Sequence, residues 1–114
     1  MRTFDLSTRA DGDVTVVTVD GTVDAVTAPR LAEALQAQVE AGRHRLVADL
    51  AGTSYVSSAG LRAFLATVKQ ARAAGGDVRL GAVQPSVHQV FDLAGFTTIV
   101  RFFDDVDGAV ASFA

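Results

Sequence analysis

The strongest constraint in this chain is a regular change of hydrophobic period. From Val14 to Gly21 it reads VTVVTVDG, so Val14, Val16 and Thr18 face one way and Thr15, Val17 and Val19 the other. Alternation of β-branched residues is the mark of a strand. From Leu61 the pattern is helical instead: Leu61, Phe64, Leu65 and Val68 fall at i, i+3, i+4 and i+7, followed by Ala71 and Arg72, until Gly75-Gly76 stops the run. The two periods succeed each other along the whole chain. Thr3 to Thr8 reads as a short edge strand, joined to the Val14 strand by a turn at Asp11-Gly12-Asp13 tight enough for an antiparallel hairpin. Thr27 stands where a cap is needed, before a helix with Pro29 in its first turn. Leu31, Leu35 and Val39, with Ala34 and Gln38 beside them, share one face of that helix, and Gly42 ends it.

Arg45 to Leu50 reads as a third strand, apolar enough for a sheet interior, and Asp77 to Gly81 as a fourth. Pro85 opens a further helix with Val87, Val90, Phe91 and Ala94 on one face, closed by Gly95. Ile99 to Phe103 reads as the last strand. Asp104 and Asp105 then lead into a final helix with Val106, Ala109, Val110 and Phe113 inward, where acidic residues suit the positive end of the helix dipole. The order β-β-α-β-α-β-α-β-α predicts one α/β domain over residues 1–114. It is a mixed, mostly parallel sheet of about five strands, with the four helices mainly on one face and the other face more open.

Composition narrows the function. The chain is 49% hydrophobic and 20% charged, the balance of a folded protein rather than a disordered one. Its net charge is −3 and its basic residues are scattered, whereas nucleic-acid binding needs a basic stripe. No cysteine is present, which excludes disulfides, thiolate zinc sites and cysteine nucleophiles. The start, MRTFDLSTRADGD, has no apolar signal region, and no apolar stretch approaches the roughly 18 to 20 residues that span a bilayer. The expectation is a soluble cytoplasmic protein without membrane insertion.

The stretch YVSSAGLRAF places two hydroxyls, Ser57 and Ser58, where an apolar run ends and a helix begins. A nucleophile elbow, G-x-S-x-G, fits neither: Ser58 has Val56 two residues before it, and Ser57 has Tyr55. The two histidines, His44 and His88, have no spacing that brings them to Ser58, and read as surface or cap residues. Phosphate-cradling glycine loops are absent. Asp104, Asp105 and Asp107 lack the glycine and distal glutamate of a calcium loop and read as helix-start residues. No cofactor or metal is therefore expected. Two readings of the serines remain. One is a helix cap, which explains one serine but neither the second nor Gly60 in a first helical turn. The other is a phosphoryl acceptor, since a helix N-terminus tolerates the added dianion while a docked partner does not. On physics alone the two stand level.

The same residues resemble the STAS domains of anti-sigma factor antagonists. Asp20-Gly21-Thr22-Val23-Asp24 with Thr27-Ala28-Pro29 and Leu31 matches one family segment, and Asp49-Leu50-Ala51-Gly52-Thr53-Ser54-Tyr55-Val56 a second. Ser57-Ser58-Ala59-Gly60-Leu61-Arg62 matches the phosphorylation loop. Pro85 with Val87, Val90, Phe91, Leu93, Gly95 and Phe96 matches a fourth segment, and the match runs in order over nearly the whole chain. The resemblance implies a binding protein without enzymatic activity. Unphosphorylated, it would bind an anti-sigma factor that is itself a serine kinase of the histidine-kinase-like ATPase type, and so free a sigma factor. The kinase would phosphorylate Ser58, and a metal-dependent serine phosphatase would reverse this. Asp24, Ser57, Ser58, Ala59, Gly60, Leu61 and Arg62 would form the partner-binding surface, with Ser58 as cap and target. Many members carry Asp before the acceptor. Ser57 stands there in this chain, which makes it the second choice of acceptor. The alternative within the family is an adaptor that is never phosphorylated, in a signalling assembly or a lipid-transport complex.

Overall fold

The computed structural model describes residues 4–114. The hairpin forms from β1 (Phe4–Asp11) and β2 (Val14–Val23), paired antiparallel from Phe4↔Gly21 to Asp11↔Val14. The first strand thus runs beyond Thr8 to Asp11, while Thr3 lies outside the described residues. Alternation along β2 sorts its side chains as its sequence indicates. Val17 and Val19 enter the main core, and Val14 and Val16 a smaller cluster on the opposite face.

β2 serves two parallel neighbours in turn. Thr15–Thr18 pair with β3 (Arg45–Asp49), and Gly21–Val23 pair with β4 (Thr53–Val56), with a register shift between Gly21 and Thr22. Next to β3 lies β5 (Asp77–Gly81), and next to that β6 (Phe102–Phe103), both parallel. The order is β1-β2-β3-β5-β6 with β4 beside β2, a sheet of six strands. The extra strand is β4. Its segment is short and half exposed, so no clean alternation announces it. It forms because the far end of β2 offers a free edge, and because the buried Thr53 hydroxyl donates to the Val19 carbonyl at 2.6 Å.

Three helices, α1 (Ala28–Glu40), α2 (Ser58–Ala73) and α3 (Pro85–Leu93), cover one face. Leu31, Leu35, Phe64, Val68, Val87 and Phe91 are buried there against Val19, Val23, Leu46, Ala48, Val78 and Leu80. Burying a leucine such as Leu31 fully contributes about 1.5–3 kcal/mol. The last helix, α4 (Val106–Ala111), lies on the other face, with Ala109 against Val14, Val16 and Val47. The helices are therefore mainly, but not all, on one side. Arg79 ties down the end of α4. It donates to the Ser112 carbonyl at 2.7 Å and hydroxyl at 2.8 Å, pairs with Asp77 at 3.2 Å, and stacks over Phe113 at 4.0 Å. Asp105 caps α4 by accepting the Gly108 N–H at 2.7 Å, so this aspartate is a helix-start residue.

Two expectations near α3 change. Ala94 is not on its inward face but exposed at its C-cap. The strand placed at Ile99–Phe103 shrinks to Phe102–Phe103. Gly95, at φ 81°, turns the chain out of α3 into a 3-10 turn over Phe96–Thr98, which buries Phe96 and Val100 and leaves Ile99 in the loop. An apolar run that contributes single anchors rather than a continuous strand carries the same composition as a strand, so the sequence pattern cannot separate them.

Candidate functional site

β2 and β4 end side by side, with Val23 paired to Val56. Each strand then leads into a helix, β2 through Asp24–Thr27 into α1 and β4 through Ser57 into α2. A bond from the Ser57 N–H to the Val23 carbonyl, 2.8 Å, joins the two exits. This junction collects the residues singled out in the sequence.

The two serines divide the roles, and not as expected. Ser57 is the N-cap of α2: its backbone is extended (φ −85°, ψ 174°) and its hydroxyl accepts the Gly60 N–H at 3.3 Å. Ser58 is the first helical residue, is exposed, and makes no side-chain hydrogen bond among the described residues. The expectation that Ser58 is itself the cap is thus corrected. Only the extended residue before the helix can aim its side chain back at the N–H groups of the first turn. The first turn of α2 also holds no acidic residue of its own to offset the partial positive charge at its N-terminus.

Gly60 also changes meaning. It is buried, and a Cβ there would stand 2.7 Å from Val23 Cγ1 and 2.9 Å from Val56 Cγ1. Glycine lets the first turn of α2 rest directly on the ends of β2 and β4, so it positions Ser58 rather than presenting a surface. Gly60→Ala gains about 1 kcal/mol of helix propensity, but overpacking a closed site costs about 1–3 kcal/mol. Val23 and Val56 are at most 1% exposed and have no room to retreat. The expected result is a lower urea midpoint, and a midpoint at or above the parent's would contradict this close fit.

Of the other candidates, Arg62 is exposed at the site, and Ala59 and Leu61 are half-buried against the main core. Asp24 is half-buried, and its Oδ1 accepts the N–H groups of Val26 at 2.9 Å and Thr27 at 3.0 Å. The Thr27 hydroxyl makes no cap bond. It accepts the Asp24 N–H at 2.9 Å and donates to the Thr22 carbonyl at 2.7 Å. Asp24, not Thr27, therefore satisfies the free N–H groups ahead of α1. Two exposed apolar residues were not among the site residues expected from the sequence. Val26, 81% exposed, projects from the loop that Asp24 holds, and Tyr55, 50% exposed, stands on β4. A groove of about 300 Å³ lies between α1 and α2, lined by Ala25, Pro29, Ala32, Ala59, Arg62 and Ala63 among others. The site is thus an exposed hydroxyl on a turn fixed by Gly60 and the Ser57 cap.

Neither histidine serves Ser58. His44 precedes β3, at the opposite end of the parallel strands, and its Nδ1 is buried without a hydrogen bond. His88 is half-buried, with its ring edge-on to Phe102 of the far edge strand at 4.9 Å. Both are packed side chains rather than the surface or cap residues expected. Among the described residues, no group of three or more His, Cys, Asp or Glu is placed to hold a metal, and no helix is long and apolar enough to cross a membrane.

The model of the STAS domain family matches residues 5–109. The chain belongs to the STAS family. This STAS domain is 36% identical over 105 residues to BtrV, a proposed anti-sigma factor antagonist of Bordetella bronchiseptica, covering 92% of this chain and 90% of the relative. It superposes on the crystal structure of an anti-sigma factor antagonist from Mycobacterium paratuberculosis with a TM-score of 0.88 and 27% identity, covering 96% and 93% of the two chains. It also superposes on the Bacillus cell-fate determinant SpoIIAA in its phosphorylated form, with a TM-score of 0.75 and 16% identity over 98% and 100% of the chains. At that identity the second superposition speaks for the fold.

Proposed function

We propose that this STAS protein is an anti-sigma factor antagonist that works by partner switching. Unphosphorylated, it binds an anti-sigma factor serine kinase of the histidine-kinase-like ATPase type, and a sigma factor is released. Phosphorylation of Ser58 ends that binding, and a metal-dependent serine phosphatase restores it. The names of the relatives support antagonism of an anti-sigma factor, and the kinase and phosphatase follow from the resemblance of the Ser57–Arg62 loop to the family's phosphorylation loop.

The observation that carries the choice of Ser58 is the division of labour between the serines. Ser57 is occupied as the cap, whereas Ser58 is exposed with its hydroxyl unengaged. In the transfer, Ser58 Oγ forms a bond to the terminal phosphorus of ATP, ADP leaves with the broken P–O bond, and the hydroxyl proton passes to a base on the kinase. The product dianion sits at the N-terminus of α2, where the helix end favours it, so the fold persists.

The test is site-resolved phosphopeptide mass spectrometry of the protein from its own cells, growing and stressed, as wild type, Ser57→Ala and Ser58→Ala. Phosphate is expected in the wild type and Ser57→Ala and lost in Ser58→Ala, with occupancy that changes between conditions. Phosphate retained in Ser58→Ala and lost in Ser57→Ala would move the acceptor. None at either serine would turn the reading toward a constitutive adaptor.

A further inference from the structure

A second surface lies away from the serines. Among the described residues, β1 is an outer strand whose one partner is β2. Apart from the Phe4 carbonyl, which accepts a long bond from Arg30 at 3.5 Å, its outer edge offers a row of backbone N–H and C=O groups, and long edges of this kind recruit other chains unless guarded. The opposite edge is guarded by shortness, since β6 is only Phe102–Phe103. β1, by contrast, spans Phe4–Asp11 in unbroken register, and its sequence FDLSTRAD holds no proline and no lysine.

Its charges are badly placed for a lone chain. Asp5 stands directly opposite Asp20 in the hairpin, and neither has an ion pair among the described residues. Like charges at facing positions are destabilising. Arg9 faces Val16, and its one carboxylate contact is an exposed one to Asp11 at 3.4 Å. Such a pair contributes about 0–1 kcal/mol.

We propose that β1 is a homodimerisation edge. A second copy adds its own β1 antiparallel, with Ser7 on the two-fold axis, so that Asp5 of each copy faces the partner's Arg9. A two-fold antiparallel pair lays like faces together, so only residues of the same parity oppose one another. Among such registers the charges choose. Centring on Thr8 sets Asp5 against the partner's Asp11, and centring on Arg9 or Asp5 sets each against itself. Centring on Leu6 pairs no opposite charges. Centring on Ala10 does match Arg9 with the partner's Asp11, but overlaps only Arg9–Asp11 of the strand. The Ser7 register pairs Phe4 through Ala10 and forms the Asp5–Arg9 contact twice. It also brings a cation to the side of Asp5 away from Asp20. The two sheets become one, and because the strands run antiparallel, the two Ser58 sites lie at opposite ends of it, both exposed.

A strand pair alone buries less than the roughly 1,200–2,000 Å² of a stable interface, so the association is weak and concentration-dependent. This inference does not depend on the proposed partner switch. It is tested by sedimentation velocity of the full chain over a concentration series reaching the millimolar range, at low salt. The wild type is expected to move from monomer toward dimer. Arg9→Asp, an exposed substitution, places Asp against Asp5 and is expected to weaken the dimer about tenfold or more. The double variant Asp5→Arg/Arg9→Asp restores the opposite pairing and the dimer, with circular dichroism confirming that each variant is folded. A wild type that stays monomeric throughout, an Arg9→Asp variant that dimerises like the wild type, or a double variant that fails to recover would each overturn the proposal.

Discussion

Phe91→Ala is expected to cost about 3–5 kcal/mol of folding stability, the range for truncating a large buried aromatic. Phe91 is fully buried on the inward face of α3. Its ring meets Phe64 of α2 at 5.6 Å, Phe96 of the 3-10 turn at 5.3 Å and Phe102 of β6 at 5.5 Å, each edge to face. One side chain thus joins three elements, and edge-to-face pairs add to the area they bury. The cavity left by alanine cannot close easily, because each neighbouring ring is itself held by a different backbone segment. Against a total stability of about 5–15 kcal/mol, a loss of this size leaves a marginal domain. Urea unfolding should show a much lower midpoint with an unchanged slope. Leu93→Ala, on the same helix but 82% exposed, is the control and should shift the midpoint little. Equal effects of the two substitutions would show that the aromatic cluster is not what holds α3 in place.

Much of this architecture is legible in the sequence, and the exceptions have physical reasons. The helix stripes through Leu31 and Leu35, and through Phe64 and Val68, are buried as their spacing requires. β2 sorts its valines to two faces because both faces are covered, the second by α4. What stayed hidden is what depends on neighbours. β4 exists because β2 outruns β3, and its pairing shifts register between Gly21 and Thr22, skipping Ser54. No local pattern in Thr53–Val56 reports that. Thr27 is the N-cap residue of α1 by position, as its sequence indicates, yet its hydroxyl makes no cap bond, and Asp24 accepts the N–H groups of the loop before the helix. Only their mutual bonding shows that the carboxylate takes the N–H groups and the hydroxyl takes the Thr22 carbonyl.

At the site itself, the sequence located the double serine and Asp24 but not the division of roles. Adjacent serines are equivalent on paper. Backbone torsion distinguishes them, because the extended one reaches back to the helix and the helical one does not. Val26 and Tyr55 were legible only as apolar residues, which a sequence reading assigns to a core by default. Their exposure follows from where the turn and the strand edge place them.

That division of roles makes Ser58→Asp the sharpest test of the proposed switch. The substitution puts one negative charge at the first helical residue of α2, in a turn that has no other acidic residue. A carboxylate there is favoured by the helix dipole by about 0.3–1 kcal/mol, and Ser57 keeps the cap. The protein should therefore unfold at the same or a slightly higher urea concentration. Binding to the anti-sigma factor should move the opposite way, weakening at least about tenfold, equivalent to about 1.4 kcal/mol. A docked surface would strip water from the charge without supplying a designed partner for it. The loss is a lower bound for the phosphorylated protein, since a phosphoserine carries about −1.5 to −2 charges where aspartate carries one. Calorimetric titration against the anti-sigma factor, beside the urea curve, separates this from misfolding, because misfolding would lower both. Ser58→Asn supplies the neutral counterpart of nearly the same size. If it weakens binding as much as Ser58→Asp, shape rather than charge governs the contact. If folded Ser58→Asp binds as the wild type does, Ser58 lies outside the partner surface.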